Sequence, residues 1–309
     1  MKKLMSTILV AAIFGSALLA SGCGTEGASQ APASAGGSAV SGKVTGSGSS
    51  ALLPLAQDAA KAFKEKYPDV SVTLNAGGSG NGLKQVSDGS VDIGNSDVAA
   101  ETKLTADKAK ELVDHKVCVI TMAPIVSNDV GEKVKSLTKE QLQKIFTGET
   151  KNWKEVGGPD EAIVLVTRPK TSGTRALFTQ YALDGKEEAS NKSLETDNSG
   201  TLIKSVEENQ GAIGYVALSY LVGENKEKVT AVGIDGVQPT LENTYSGKYP
   251  VWGYEHMYTK GEPSGAVKSY LDFIASDDYG KKMEGMGYGI TAKMDTSVTS
   301  SRDAEAQKS

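Results

Sequence analysis

Three times the chain passes from a short apolar run, through a turn of Gly with Ser or Thr, into a stretch with apolar residues at helical spacing. The turns lie in "TGSGSSALLP" (residues 45–54), "NAGGSGNGLKQV" (75–86) and "TRPKTSGTRALF" (167–178). Strand-like and helix-like segments alternate along the rest of the chain from residue 42. That alternation predicts an α/β domain with a mostly parallel sheet covered by helices on both faces. Leu52, Leu55, Ala56, Ala59, Ala60 and Phe63 give one helical face. "LTKEQLQKIFTG" carries Thr138 and Gln141 in capping-box positions. Two apolar segments, near 118–123 and 250–256, read as crossings between two lobes. Pro250 makes the second an edge or crossover segment.

The N-terminus has a different character. "MKK" precedes the apolar run "LMSTILVAAIFGSALLA", and Ala20-Ser21-Gly22-Cys23 follows. This pattern resembles a bacterial lipobox, and it predicts a signal peptide over 1–22 with lipid, palmitate included, on Cys23. A plain secretory signal with an incidental cysteine is the alternative. Residues 24–41 are small and polar, as in a flexible tether. No later stretch is apolar and long enough to span a bilayer. Cys118 lies in an apolar run and, with Cys23 committed to lipid, has no disulfide partner. The tail over 297–309 has little to bury and is expected to be disordered.

A formal charge of −5, without a basic stripe, argues against a nucleic-acid surface. It leaves room for a small anion held by local dipoles. The first N–H groups of a helix lack intrahelical partners and carry partial positive charge, so helix N-termini seat anions. Ser50, Ser79, Ser172 and Thr174 add hydroxyls at the three turns, and Gly173 admits close approach. Arg168 supplies a full charge with fork geometry. Helix capping alone would explain any one turn; three of a kind favour an anion cleft.

Asp97, at the end of "VDIGNSD", is out of place in such a cleft unless the anion carries a proton. Hydrogen phosphate does, and its P–OH can donate to a carboxylate; sulfate at neutral pH cannot. A helix cap or a lysine partner is the other reading of Asp97. His115 and His256 have no metal-ligand spacing, so no metal and no cofactor is expected. "GSGSSA" lacks the acidic residue of a dinucleotide site, and "GGSGNGLK" has Leu83 where a P-loop needs lysine. There is no nucleophile elbow, so an enzyme is not expected.

The ordered set "GSGSSALLP", "GGSGNGLKQV", "VDIGNSD" and "RPKTSGTRALF" resembles the substrate-binding lipoproteins of bacterial phosphate ABC transporters. "FTGETKNWKEVGG", "GAIGYVALSYL" and "YPVWGYEHMYTKG" fit the same family, so the resemblance spans roughly residues 42–295. It implies a two-lobed type II periplasmic-binding-protein fold with the ligand in the cleft. Lobe I would be 42–121 plus 256–296, and lobe II 122–255. It implies contacts from Ser50, the Ala51 backbone, Ser79, Asp97, Arg168, Ser172, Gly173 and Thr174. The implied protein is a monomeric, extracytoplasmic, lipid-anchored receptor that passes inorganic phosphate to a permease. A receptor for another oxyanion, or a phosphate sensor or adhesin, are the alternatives. Two positions depart from the pattern: Ala51 replaces an aromatic found in some members, and Lys170 replaces an acid two residues after the arginine. Arg175 has no part in the pattern and reads as a solvated helix residue or a source of positive field.

Overall fold

The computed structural model describes residues 40–189 and 193–306. The expected signal segment, Cys23 and nearly all of the expected tether lie outside these residues. The strands are β1 (Gly42–Gly48), β2 (Val70–Ala76), β3 (Ile93–Ser96), β4 (Leu112–Val126), β5 (Ser136–Leu137), β6 (Val164–Thr167), β7 (Leu194–Glu195), β8 (Ala212–Ala217), β9 (Thr230–Ala231), β10 (Gly233–Ile234) and β11 (Trp252–Lys260). The helices are α1 (Leu53–Lys66), α2 (Ser79–Ser87), α3 (Ala106–Lys110), α4 (Asn128–Gly131), α5 (Lys139–Phe146), α6 (Gly173–Tyr181), α7 (Ser199–Glu208), α8 (Leu241–Tyr245), α9 (Gly265–Ile274), α10 (Asp277–Gly280) and α11 (Thr296–Ala306).

One sheet runs in the order β2-β1-β3-β11-β4-β8-β6-β7, with β9 beside β4; β5 and β10 pair separately. The expected mostly parallel sheet is in fact mixed. β1 is parallel to β2 and β3, and β6 is parallel to β7 and β8. Between these blocks, β11 is antiparallel to β3 and β4, and β4 is antiparallel to β8. β4 carries the chain out of the first block and β11 brings it back, so the two run in opposite directions. β11 is therefore central, and Pro250 sits just before it, where the missing N–H costs no ladder bond. The crossing expected near 118–123 and 250–256 falls on these two strands, and the expected lobe boundaries at 121/122 and 255/256 lie inside them.

Burial along β4 explains its sequence. Residues 112–117 alternate in exposure, whereas Cys118–Val126 is buried throughout. The first half has one wet face, and the second is covered on both. Cys118 is a free, buried thiol, and burial pushes its pKa well up.

α1 buries Leu55, Ala56, Ala59 and Phe63. Each of the large side chains is worth about 1.5–3 kcal/mol. Tyr270 and Tyr279 hydroxyls donate to the Ala56 and Leu55 carbonyls and tie α9 and α10 onto this helix. The capping box of Thr138 and Gln141 forms at the start of α5.

The expected disordered tail is corrected through residue 306. α11 is a helix, started by Asp295, whose carboxylate accepts from the Ser297 N–H and hydroxyl. Arg302 stacks on Tyr181 and Trp252, with its guanidinium carbon 3.5 and 4.2 Å from the ring centroids, and donates to the Pro250 carbonyl. Composition gave no sign of this, because one arginine between two aromatic rings does the anchoring.

Candidate anion-binding site

The three Gly/Ser turns, at the C-terminal ends of β1, β2 and β6, converge beside Asp97 at the end of β3. Ser50, Ser79, Asp97, Arg168, Ser172 and Thr174 are all buried. Each turn has a local reason for its shape. Ser49 Oγ accepts from the Leu52 N–H and folds the first turn. Gly78, at φ 84°, is the N-cap of α2, and a Cβ there would fall 1.9 Å from Asp197 Oδ2. Ser172 caps α6 by accepting from the Arg175 N–H.

The turns also interlock. Thr174 Oγ1 donates to Asp97 Oδ2 at 2.6 Å, and the Gly80 N–H donates to the Thr171 carbonyl at 2.9 Å. A Cβ on Gly173 would lie 2.2 Å from Ser79 Oγ and 2.9 Å from Asp97 Cβ, so only glycine lets α6 come this near. Ser50 Oγ donates to the Asp197 carbonyl at 3.0 Å and lies 3.0 Å from Ser199 Oγ. Tyr220 donates to the Ser50 carbonyl at 2.8 Å, which fixes the peptide plane carrying the Ala51 N–H. The Ala51 side chain is itself fully buried.

Hydrogen-bond inventory decides what these groups can offer. Ser79 Oγ accepts from the Asp97 N–H at 3.0 Å, which leaves its O–H to donate elsewhere. Thr174 has spent its O–H on Asp97, so its contribution to an anion is its N–H at the start of α6. Asp97 Oδ1 and Arg168 Nε are buried without a protein partner. A donor and an acceptor of opposite charge thus sit unsatisfied in one cluster of hydroxyls and helix N-termini.

Arg168 is fully buried. Its Nη1 donates to the Asp197 carbonyl at 3.2 Å, and its Nη2 to Ser199 Oγ at 2.9 Å and the Tyr215 carbonyl at 3.3 Å. Lys170 is exposed and pairs with Glu187 at 3.4 Å. No acid on the arginine's own turn holds it; neutral oxygens from β8 and the start of α7 do so.

Arg175 corrects the solvated reading. It is 5% exposed, donates to the Arg168 carbonyl, and lies 3.6 Å from Glu188 Oε2. Glu188 Oε1 accepts from the Tyr215 hydroxyl at 2.8 Å, and the Tyr215 carbonyl accepts from Arg168. The contacts close a ring through Arg168, Tyr215, Glu188 and Arg175. Burial pushes the Glu188 carboxyl up to about 7, against the pull of Arg175 and the Tyr215 hydroxyl.

Three residues escaped the sequence reading. Ser199 and Asp197 belong to "TDNSGTL", a fourth turn of the same kind, in which Asn198 caps α7. The repeat of Ser-Gly-Thr in 172–174 and 199–201 was the available signal. Both Asp197 carboxylate oxygens are buried without hydrogen-bond partners; burial raises its pKa, while the charge of Arg168 opposes the rise. Lys103 reaches over from the turn after β3 to the Lys170 carbonyl at 2.8 Å, and burial lowers its pKa against the attraction of Asp97 and Asp197. Nothing in "AETKLT" marks that lysine out. A separate surface cavity of about 520 Å³, lined by Lys139, Tyr181, Trp252 and Arg302, holds none of these groups.

Residues 33–278 match the model of the PBP superfamily domain. The chain is 47% identical over 310 residues to the phosphate-binding protein PstS of Bacillus subtilis, covering 99% of both. The chain belongs to the phosphate-binding protein family. A PstS of Staphylococcus saprophyticus is 28% identical, over 91% of this chain and 88% of its own. Among solved structures, one assigned to a phosphate ABC transporter substrate-binding protein of Clostridium perfringens, with phosphate bound, aligns at a TM-score of 0.72. It is 32% identical and covers 81% of this chain and 100% of its own. A phosphate transport receptor from Vibrio cholerae, at 24% identity and a TM-score of 0.62, shares the fold. The family's type II periplasmic-binding-protein fold accounts for the two crossing strands and the two blocks they join. None of the described helices is long and apolar enough to cross a membrane.

Proposed function

We propose that this chain binds inorganic phosphate outside the membrane and delivers it to an ABC-type importer. The observation that carries the reading is Asp97 Oδ1, a buried acceptor without a protein hydrogen-bond donor, set among the Ser79 hydroxyl, the N-terminus of α6 and the Arg168 guanidinium. A fully deprotonated oxyanion would face it acceptor to acceptor. A protonated one donates a hydrogen to it, on a lone pair that no protein donor occupies.

In this reading Arg168 supplies the charge and Ser79 and Ser172 supply hydroxyls; Ser50 joins them by turning its O–H from the Asp197 carbonyl to the ion. Ala51, Gly173 and Thr174 supply main-chain N–H groups, with Gly173 also giving access. Ser199 holds the arginine. The cleft lies between lobe I (42–121 and 256–296) and lobe II (122–255). Closure of the lobes desolvates the ion and strengthens every hydrogen bond to it. Cys23 carries the lipid that keeps the receptor, a monomer, at the cell membrane. The role is binding without turnover, so a chromogenic phosphate ester should remain intact.

Calorimetric titration of the ligand-free protein with phosphate and then sulfate tests the reading. Wild type should bind phosphate and reject sulfate by about a thousandfold, the cost of burying an unpaired charge. Asp97→Asn should lose most of that discrimination, because an amide can donate to sulfate. Folded wild type that gives no heat with phosphate would sink the proposal.

A further inference from the structure

Beneath Asp97 lies a second carboxyl group that the binding reading does not use. Glu255, in β11, is fully buried, and neither of its oxygens has a hydrogen-bond partner in the structure. The strand register places it. His256 is opposite Ser96, so the next step of the antiparallel pair brings Glu255 to Asp97. On the other side, Glu255 faces Cys118 of β4, and the ladder shifts register between Glu255 and His256. Such a bulge re-aims a side chain.

The surroundings contain no cation for it. Among the described residues, Glu255 takes part in no ion pair of 4 Å or less. The groups that act on it are Asp97 and the Ser49 hydroxyl at the turn before α1. Cys118 from β4, with Tyr220 and Tyr288, responds to its charge. All of these are acids or neutral donors. With no cation beside Glu255, two carboxyl groups buried together disfavour the second ionisation, and it is Glu255 that keeps its proton. Burial first, and Asp97 second, drive the Glu255 carboxyl well above the usual carboxylate range.

We propose that Glu255 stays a neutral carboxylic acid and positions Asp97, giving its hydrogen to Asp97 Oδ1 from below the site. With Thr174 donating to Oδ2, Asp97 is then held by one donor on each oxygen. Each oxygen keeps a further lone pair, and Asp97 faces the anion only as an acceptor. A neutral Glu255 also spares the anion a second buried negative charge. This inference rests on the phosphate reading for its effect on binding, but the proton on Glu255 can be observed without it.

The test uses the ligand-free protein as wild type, Glu255→Gln and Glu255→Leu. Infrared spectra at pH 8 should show the carbonyl stretch of a protonated carboxylic acid in wild type and not in Glu255→Gln; Glu188 is mostly ionised at that pH. Glutamine keeps a neutral donor, so Glu255→Gln should bind phosphate within about threefold of wild type and still reject sulfate. Leucine removes the donor, and affinity should fall about ten- to a hundredfold, with sulfate less strictly excluded. The proposal is overturned if wild type lacks the band, if the band survives in Glu255→Gln, or if glutamine weakens binding as much as leucine. If Glu255→Leu does not fold, the band and the glutamine variant still decide. If wild type binds no phosphate, the functional reading fails while the infrared band continues to report on Glu255.

Discussion

Arg168 and Asp97 reach the same cluster from opposite blocks of the sheet, and their support differs in kind. Arg168 rests on two backbone carbonyls and a serine hydroxyl, with its own carbonyl clamped by Arg175. Asp97 has one firm side-chain donor, Thr174, and that donor comes from the other block. The arginine is fixed by its own half of the molecule. The aspartate is completed only when α6 lies against Ser79 and β3. On the proposed phosphate reading, the difference fits a site whose charge is set in advance and whose acceptor is completed where the two blocks meet.

Removing the fixed partner should have the largest effect. Arg168→Met leaves the Asp97 and Asp197 carboxylates buried in the site without the cation that offsets them. Such a loss costs about 3–5 kcal/mol, or roughly a hundred- to several-thousandfold in Kd. Arg168→Lys should fall between the two, since one ammonium cannot span the Asp197 and Tyr215 carbonyls and Ser199 while keeping a fork toward the anion. Phosphate titration, with a melting curve to show that each variant folds, measures both. If Arg168→Met binds as well as wild type, the arginine is structural.

A smaller effect separates closure from charge. Gly173→Ala changes no charge, but its Cβ would press on Ser79 and Asp97. Gly173 lies outside the left-handed region, so the penalty is one of packing alone. Overpacking of about 1–3 kcal/mol should weaken phosphate binding about five- to a hundredfold. Gly280→Ala, with open space at its Cβ position, should leave Kd unchanged. Equal affinities for the two variants would mean that the approach of α6 to Ser79 does not limit binding.

How far the sequence reveals this comparison depends on where the information sits. The three turns were legible because Gly, Ser and Thr between a strand and a helix have a local purpose. Asp97 was legible because its charge opposes its surroundings. The support of Arg168 was not. Its partners are carbonyls of Asp197 and Tyr215, and any residue carries a carbonyl. Arg175 looked solvated because a helix position one turn from a cap is often exposed; its partners, the Arg168 carbonyl and the buried Glu188 held by Tyr215 of β8, are not visible from its own segment. The antiparallel middle of the sheet was hidden for a similar reason. Local alternation says that strands and helices follow one another, but not that β11 returns beside β4 from far along the chain. Arg302 is the extreme case, since its two rings are 50 and 121 positions away along the chain.

The smallest prediction concerns the ring behind the arginine. Glu188 is drawn up to about 7, from an ordinary value of 4.5, mainly by burial. Its folded-state value lies above its unfolded one, so the native state holds more protons between those limits. Stability from this group is complete below about pH 4.5 and is lost as pH rises through about 7. Arg175, 3.6 Å away, limits the loss by stabilising the charged form, so the change should be on the order of 1–3 kcal/mol. Glu188→Gln removes the titration and should flatten that part of the curve of unfolding free energy against pH. It keeps an acceptor for Tyr215, so phosphate affinity should shift by about threefold or less. A steep loss of phosphate binding at every pH would instead place the Glu188 charge among the groups that hold Arg168, and the arginine's support would then depend on charge as much as on neutral oxygens.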